Sequence, residues 1–447
     1  MRVKTASPQL RRSIILVTIG AFCTAACTAQ SLDDWNIASQ NWLRGQATPN
    51  HVVPDPDPSR RHLLISYDVS PAQLPTGFHR SATYDDALAA LSFTISGRMG
   101  AANLTLQALA RLVRPDGSLW FSYSTANSWP DEAEHDSAII RAGSIGWAGY
   151  AFTFYLAHAS PCAPQEAGCA RERAFFQATA VRLADYLLSL EAARPEHICH
   201  GLLRQGYGSI RLSYKPEARD VIEEYLDRPA LGFSTENNIS SWFFLRALGQ
   251  LTGEQRWKDA ADRIRRGLLR VAWDERINQF DEGFSPGGQR DPVKALDCAS
   301  WGALFLIAAG EPDKAQQALR SMETYASRDG DAAGYRPYFD EPIYPSFEIG
   351  KFYFPGEPRK QWRDLPLVWS EGTLGVALAY LRTGQTDRAR QIVQALQPLQ
   401  VASNGLRYAS RGVPHQMSDS PSVAASSWLV FVAEAMKGNA RAEQFWK

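Results

Sequence analysis

Thr235-Glu-Asn-Asn-Ile-Ser-Ser-Trp-Phe-Phe-Leu-Arg-Ala-Leu-Gly-Gln-Leu-Thr-Gly253, followed by Gln255-Arg-Trp-Lys-Asp-Ala-Ala-Asp-Arg-Ile264, is the stretch that decides the fold. Its first half is apolar on most faces and asks for burial all round, whereas its second half alternates charge with an apolar stripe and suits an outer position. Gly253 between them supplies a left-handed cap, so a short turn follows. A buried helix, a glycine and an amphipathic helix make one hairpin.

The same plan recurs along the chain, and such self-similarity outranks any local reading. Buried-type segments run from Tyr84-Asp-Asp-Ala to Gly97, from Arg141-Ala-Gly-Ser-Ile-Gly-Trp to His158, and from Leu296-Asp-Cys-Ala-Ser-Trp to Gly310. Two more run from Trp369-Ser-Glu-Gly-Thr to Gly384 and from Ser420-Pro-Ser-Val-Ala to Gly438. Amphipathic segments follow at Ala101 to Val113, Arg171 to Leu190, Asp313-Lys-Ala-Gln-Gln-Ala-Leu and Asp387-Arg-Ala-Arg-Gln-Ile-Val. Leu32 to Leu43 supplies a twelfth helix, expected beside the last inner one. Six buried helices ringed by six amphipathic ones predict an all-α fold, an (α/α)6 toroid with inner helices starting near 84, 141, 235, 296, 370 and 421. An open solenoid of helical hairpins is the alternative; the count of six and the all-round apolar inner helices favour closure.

Residues 1–29 read as a signal peptide and residues 30–447 as a single toroidal domain. Arg2, Lys4, Arg11 and Arg12 precede an apolar run from Ile14 to Ala26, too short to span a bilayer and of the length of a signal-peptide core. Cleavage after Ala29 gives a periplasmic or secreted protein; cleavage after Ala26 leaves Cys27 first, as in a lipoprotein, and would make a lipid anchor the one membrane contact. Cys162 and Cys169 share a short loop and are expected to form a disulfide in an oxidising compartment, with Cys199 and Cys298 left unassigned. Lysine plus arginine balances aspartate plus glutamate at 47 each, so nothing steers the chain to nucleic acid. No cofactor or metal is called for: His197-Ile-Cys-His200 has no second cluster to complete four ligands. A phosphate loop, a serine nucleophile elbow and a dinucleotide fingerprint are missing from the sequence. A monomer is expected.

The connections locate function. Inner-to-outer turns are short, whereas outer-to-inner connections are long and carry aromatic, strand-like patches: Asp116-Gly-Ser-Leu-Trp-Phe-Ser-Tyr, Gly206-Tyr-Gly-Ser-Ile-Arg-Leu-Ser-Tyr, Asn278-Gln-Phe-Asp-Glu-Gly-Phe, Gly334-Tyr-Arg-Pro-Tyr-Phe and Gly405-Leu-Arg-Tyr-Ala-Ser. All emerge on the face where the inner helices start, and long loops on one face of a rigid scaffold are where sites are built. Asp85, Asp86, Glu236, Asp297 and Glu371 open inner helices on that face. A carboxylate there has an ordinary job, capping amides and complementing the dipole. Closure of the ring would instead gather these acids in one aromatic pit, with Gly372 beside Glu371 leaving room for a ligand. Glycoside hydrolysis needs a protonated carboxylic acid for the leaving oxygen and an ionised carboxylate for water or the anomeric carbon. Around them Tyr84, Trp120, Tyr123, Arg141, Trp147, Tyr207, Asn237, Asn238, Tyr338, Trp369 and Tyr408 are candidates to hold sugar by stacking and hydrogen bonds.

In its hairpin periodicity and helix-start acids the mature chain resembles the six-hairpin glycosidase superfamily. The resemblance implies a glycan-active enzyme, in most members an inverting hydrolase or phosphorylase, with epimerases and polysaccharide lyases on related toroids. The reading placed first is an exported glycoside hydrolase acting on a poly- or oligosaccharide, with Glu236 as general acid and one of Asp85, Asp86, Asp297 or Glu371 as its partner. A lyase or epimerase would lean on Tyr84, Tyr207, His135 and Arg141 as proton carriers. A non-catalytic repeat protein would leave the acids dispersed as helix caps.

Overall fold

The computed structural model describes residues 31–53, 57–74, 77–126, 138–163 and 167–447; the leader with Cys27, and His135, lie outside these residues. Six helices form the inner wall: α2 (Thr83–Ile95), α4 (Ala142–His158), α6 (Thr235–Thr252), α8 (Leu296–Ala308), α11 (Ser370–Arg382) and α13 (Val423–Met436). Each packs against the next, and α13 packs back onto α2, so the ring closes. Outside them lie α3 (Met99–Leu112), α5 (Ala167–Ser189), α7 (Gln255–Gly267), α9 (Pro312–Met322) and α12 (Thr386–Gln394), while α1 (Leu32–Gln46) covers α13 as the sixth outer helix. This is the predicted (α/α)6 toroid. The short helices α10 (Phe347–Tyr353) and α14 (Ala440–Gln444) are additions.

Local chemistry explains the hairpins. Gly97, Gly253, Gly310, Gly384 and Gly438 follow five of the inner helices with φ between 72° and 81°, the left-handed conformation that a side chain disfavours. The sixth turn, after α4, has no glycine. There the chain leaves through Ala159 to a loop that the Cys162–Cys169 disulfide clips, with Cα atoms 5.7 Å apart. Cys199 and Cys298 are free and buried. Helices α4 and α6 approach closely because Gly143, Gly146 and Gly149 line the contact; a Cβ at Gly149 would lie 2.2 Å from the Phe244 ring.

A second repeat, in backbone pairing, holds the helix starts around one axis. The residues just before each inner helix pair with the connection that leads to the next one. Strand β1 (Arg80–Ala82) pairs with β2 (Ser122–Ser124), and β3 (Ile140–Arg141) with β4 (Gly206–Lys215). Strand β4 continues into a long hairpin with β5 (Asp220–Ala230), and β6 (Phe233–Ser234) pairs with Gly283–Phe284. Bridges Ala295–Tyr338, Trp369–Ala409 and Ser422–Tyr67 complete the circuit. These are the aromatic patches that the sequence marks as strand-like.

The opposite end of the axis is filled. After α14 the chain turns inward, and Trp446 stacks on Trp147 and on Phe243 with ring centroids 4.6 Å away in each case. Arg382 ties this tail by donating to the carbonyls of Ala442 and Phe445 at 2.7 and 2.8 Å. Among the described residues the toroid is therefore a blind pit that opens where the inner helices begin.

Candidate active site

The pit encloses about 430 Å³ and is lined by Glu236, Asp297 and Glu371 from three successive inner helices, with Tyr84 from α2 and Arg141, Ser144 and Trp147 around the start of α4. Trp301 and Trp147 meet edge to face at 5.4 Å and make the floor, with Trp428 stacked on Trp301 at 5.7 Å. Asn237, Tyr338, Trp369 and Tyr408 complete the set of expected residues that line it.

The three helix-start acids do not cap their helices. Ser234 caps α6 through its side chain, and no side chain caps α8 or α11. Glu371 instead accepts from the Tyr84 hydroxyl, which itself accepts from Trp428 Nε1 at 3.2 Å, and Tyr408 adds a further side-chain hydrogen bond. Burial and the adjoining carboxylate push the Tyr84 hydroxyl well above its ordinary range, so it stays a donor. Asp297 Oδ1 is buried without a hydrogen-bond partner.

Four acids crowd this space, because Glu282 joins the three. Burial lifts Glu236 to about 7. Burial, then the charges of Asp291, Glu236 and Glu341, lifts Glu282 to about 8. Glu371 reaches about 8 by burial, against the pull of its tyrosine donors and with repulsion from Asp85 and Glu236. Asp297 is raised well above the carboxylate range by burial and then by the other three. Arg141 is the single basic side chain among the described lining residues. Its Nη1 donates to the carbonyls of Ile140, Tyr207 and Gly208 at 3.1, 3.2 and 2.8 Å. With so little positive charge, the acids compete for the ionised state, and those that lose keep protons near neutrality.

Six expected residues fall elsewhere, each for a visible reason. Asp86 is buried beneath the chain and accepts from Leu64 N and Ser81 Oγ at 2.8 Å each, a structural tie. Asp85 bonds Ser66 and feels Arg80 behind the pit wall, where burial lifts it to about 7. Trp120 carries the Arg114 guanidinium 4.1 Å over its ring, and Tyr123 accepts from Trp120 N at 3.0 Å; Phe121, just before β2, lines the pit instead. Tyr207 bonds Asp227 on its own hairpin. Asn238 pairs with both backbone groups of Leu203 at 2.7 and 3.0 Å and so anchors a loop. Gly372 leaves room for a neighbour, not a ligand: a Cβ there would meet the Trp369 ring at 2.2 Å and Leu296 at 2.9 Å.

The sequence reading passed over Glu282, Gln205, Phe121, Gln416 and Met417 as site residues. For Glu282 a signal existed. It sits in one of the strand-like patches, and Thr235 N donates to its carbonyl at 2.9 Å beside the β6 pairing, which carries it next to Glu236.

A closed ring of six helical hairpins is the fold of the six-hairpin glycosidase superfamily, and this chain has that fold. Solved structures that it superposes on include a glycosidase, as a glutamate-to-alanine variant in complex with glucose, at TM-score 0.58 and 12% identity over 91% of this chain and 97% of that one. Others are a D-mannose isomerase, at TM-score 0.57 and 10% identity over 92% and 100%, and a family 76 α-mannanase from Bacteroides thetaiotaomicron, at 0.55 and 10% over 91% and 97%. Neither a protein-family profile nor a curated protein matches the chain.

Proposed function

We propose that this protein is an exported glycoside hydrolase that inverts the anomeric centre of a poly- or oligosaccharide, with Glu236 as general acid and Glu371 as general base. The observation that carries the reading is that both glutamates enter one blind aromatic pit and neither caps its helix. The roles follow from their surroundings. Glu371 has two hydroxyl donors that favour its carboxylate, whereas burial alone acts on Glu236 and favours its acid form. Beyond burial, the value at Glu371 includes repulsion from Asp85 and then from Glu236, and the Glu236 share vanishes while Glu236 holds its proton. Helix axes two places apart in a ring with ~8–10 Å neighbour spacing lie roughly 14–17 Å apart. Side chains reaching inward from α6 and α11 then leave room for a water, as inversion requires. Glutamate is also the residue type replaced in the glucose-bound glycosidase. The leader and the Cys162–Cys169 disulfide support export.

Sugar isomerisation is the competing chemistry on this fold, and the mannose isomerase favours keeping it in the test. Incubation with α- and β-glucans, α-mannan, uronic-acid polymers and their oligosaccharides, followed by proton NMR, separates the two. Hydrolysis releases a reducing sugar whose first-formed anomer is opposite to that of the bond cleaved. Isomerisation changes the sugar without shortening the chain. Glu236→Gln is expected to lower turnover at least ~100-fold, the usual scale for a positioned acid. Conversion without bond cleavage, or full turnover by a folded Glu236→Gln protein, would overturn the assignment.

A further inference from the structure

The β4–β5 hairpin has a length and a set of end contacts that the proposed hydrolysis does not require. Its base lies between α4 and α6, where Ile140 and Arg141 pair with Tyr207 and Gly206. Arg141 fastens the base through the carbonyls of Tyr207 and Gly208. From Tyr207 to Tyr214 the strand spans roughly 23 Å at ~3.3 Å per residue. Opposite axes in a ring of six helices with ~8–10 Å spacing lie roughly 16–20 Å apart. The hairpin is therefore long enough to cross the mouth.

Its far end is fastened on the other side. Tyr214 packs against Phe352 of α10 with centroids 5.6 Å apart. Glu223 on β5 bonds His415 Nδ1 at 2.9 Å, and His415 Nε2 bonds the Tyr353 hydroxyl at 3.0 Å. Helix α10 lies in the connection to α11, and His415 in the connection to α13. These are the fifth and sixth inner helices, across the ring from the second and third, between which the hairpin rises. His415 is held with φ 59°. Tyr344 stiffens this corner by stacking on Tyr353 at 4.9 Å and donating to the Pro414 carbonyl at 2.7 Å. The next two residues, Gln416 and Met417, line the pit itself. Val221, the second residue of β5, is buried, whereas the turn at 216–220 stays exposed, so the strands and not the tip make the contact with the far rim.

We infer that the hairpin is a fixed strap across the mouth of the pit, which makes the enzyme act on glycan chain ends and short oligosaccharides and not within a polymer. The inference rests on the hydrolase reading for its substrate and on topology for the strap. An endo-acting site needs a groove open at both ends, so that the chain runs through. Here the floor is blocked by Trp446 and the top is crossed from rim to rim.

Two measurements separate the strap from the chemistry. The first needs no catalysis. In a Cys298→Ser background, which removes the free thiol already in the pit lining, Asn237→Cys places a single thiol in the pit, to be labelled with iodoacetamide or with a 5 kDa maleimide-polyethylene glycol. The same substitutions are made in a chain whose residues 210–225 are replaced by Asn-Gly, a two-residue turn that joins the paired Ser209 and Leu226. Iodoacetamide is expected to react in both backgrounds, and the polymer at least ~10-fold faster once the strap is shortened. Equal polymer rates in two folded proteins would overturn the strap. The second follows end-labelled oligosaccharides of the linkage that the wild type cleaves. Shortening one sugar at a time is expected from the wild type, with internal fragments from the strap-shortened protein and, to a lesser degree, from His415→Ala. Internal fragments from the wild type at first turnover, or stepwise shortening kept by the shortened protein, would overturn chain-end specificity. Absence of any cleavage would count against the hydrolase reading, while the labelling rates still decide the strap.

Discussion

Replacing Tyr84 by Phe removes one hydroxyl and little else, and its consequence follows from the order of hydrogen bonds in the pit. Tyr84 donates to Glu371 and accepts from Trp428 Nε1 at 3.2 Å. A hydrogen bond to a charged acceptor is worth ~1.5–3 kcal/mol, and ~1.4 kcal/mol corresponds to one pKa unit. Loss of the donor raises the pKa of Glu371 further, by roughly 1–2 units; Tyr408 remains as the second donor and holds the change toward the lower end. If Glu371 is the base, its ionised fraction falls about tenfold for each unit at every pH below its pKa. Activity at pH 6 then falls about tenfold, whereas activity at pH 9.5, where Glu371 is ionised in both proteins, is nearly kept. Trp428 Nε1 loses its acceptor in the interior, which costs ~1–3 kcal/mol of stability, so melting is followed beside the kinetics. The assay is kcat/KM from pH 4.5 to 9.5 for wild type and Tyr84→Phe on the same glycan. A profile lowered by one factor at every pH, pH 9.5 included, would refute the reasoning: Tyr84 would then be holding substrate and not tuning Glu371.

Two further outcomes test the buried acids and the floor. Because Glu236, Glu282 and Glu371 ionise higher in the fold than the ordinary 4.5, their contribution to stability is fully present below about pH 4.5 and is lost as pH rises through 7 to 8. Melting temperature should therefore fall by several degrees between pH 5 and pH 9, and Glu282→Gln should flatten the slope; parallel curves for the two proteins would contradict it. Trp446→Ala removes a ring stacked on Trp147 and Phe243, so urea unfolding should show a loss of ~3–5 kcal/mol, with turnover reduced as Trp147 and Trp301 lose their backing. A loss below ~1 kcal/mol would mean that the tail does not plug the axis.

Hairpin number and order were legible because they depend on local signals. An all-round apolar helix, a glycine able to adopt positive φ and an amphipathic helix are each written within about thirty residues, and repetition made the reading redundant. The Cys162–Cys169 pairing was legible for the same reason, since the partners lie seven positions apart. That Glu236, Asp297 and Glu371 line the pit was legible because a helix start on the loop-bearing face of a closed ring must lie near its axis.

Which neighbour of a helix start faces that axis was not legible. Tyr84, Asp85 and Asp86 are consecutive, and successive residues on a helix point ~100° apart, so one turns into the pit while the others turn into the wall. A helix apolar on every side carries no periodicity to say which. Glu282, the Trp446 plug and the reach of the β4–β5 hairpin depend on pairings between distant segments: Ser234 with Gly283, Trp446 with Trp147, and Glu223 with His415. Local propensity determined the hairpins and their sequence along the chain. Only closure of the ring, which brings residues hundreds of positions apart into one pit, decided which side chains share a site, which acids lose their solvent and what crosses the mouth.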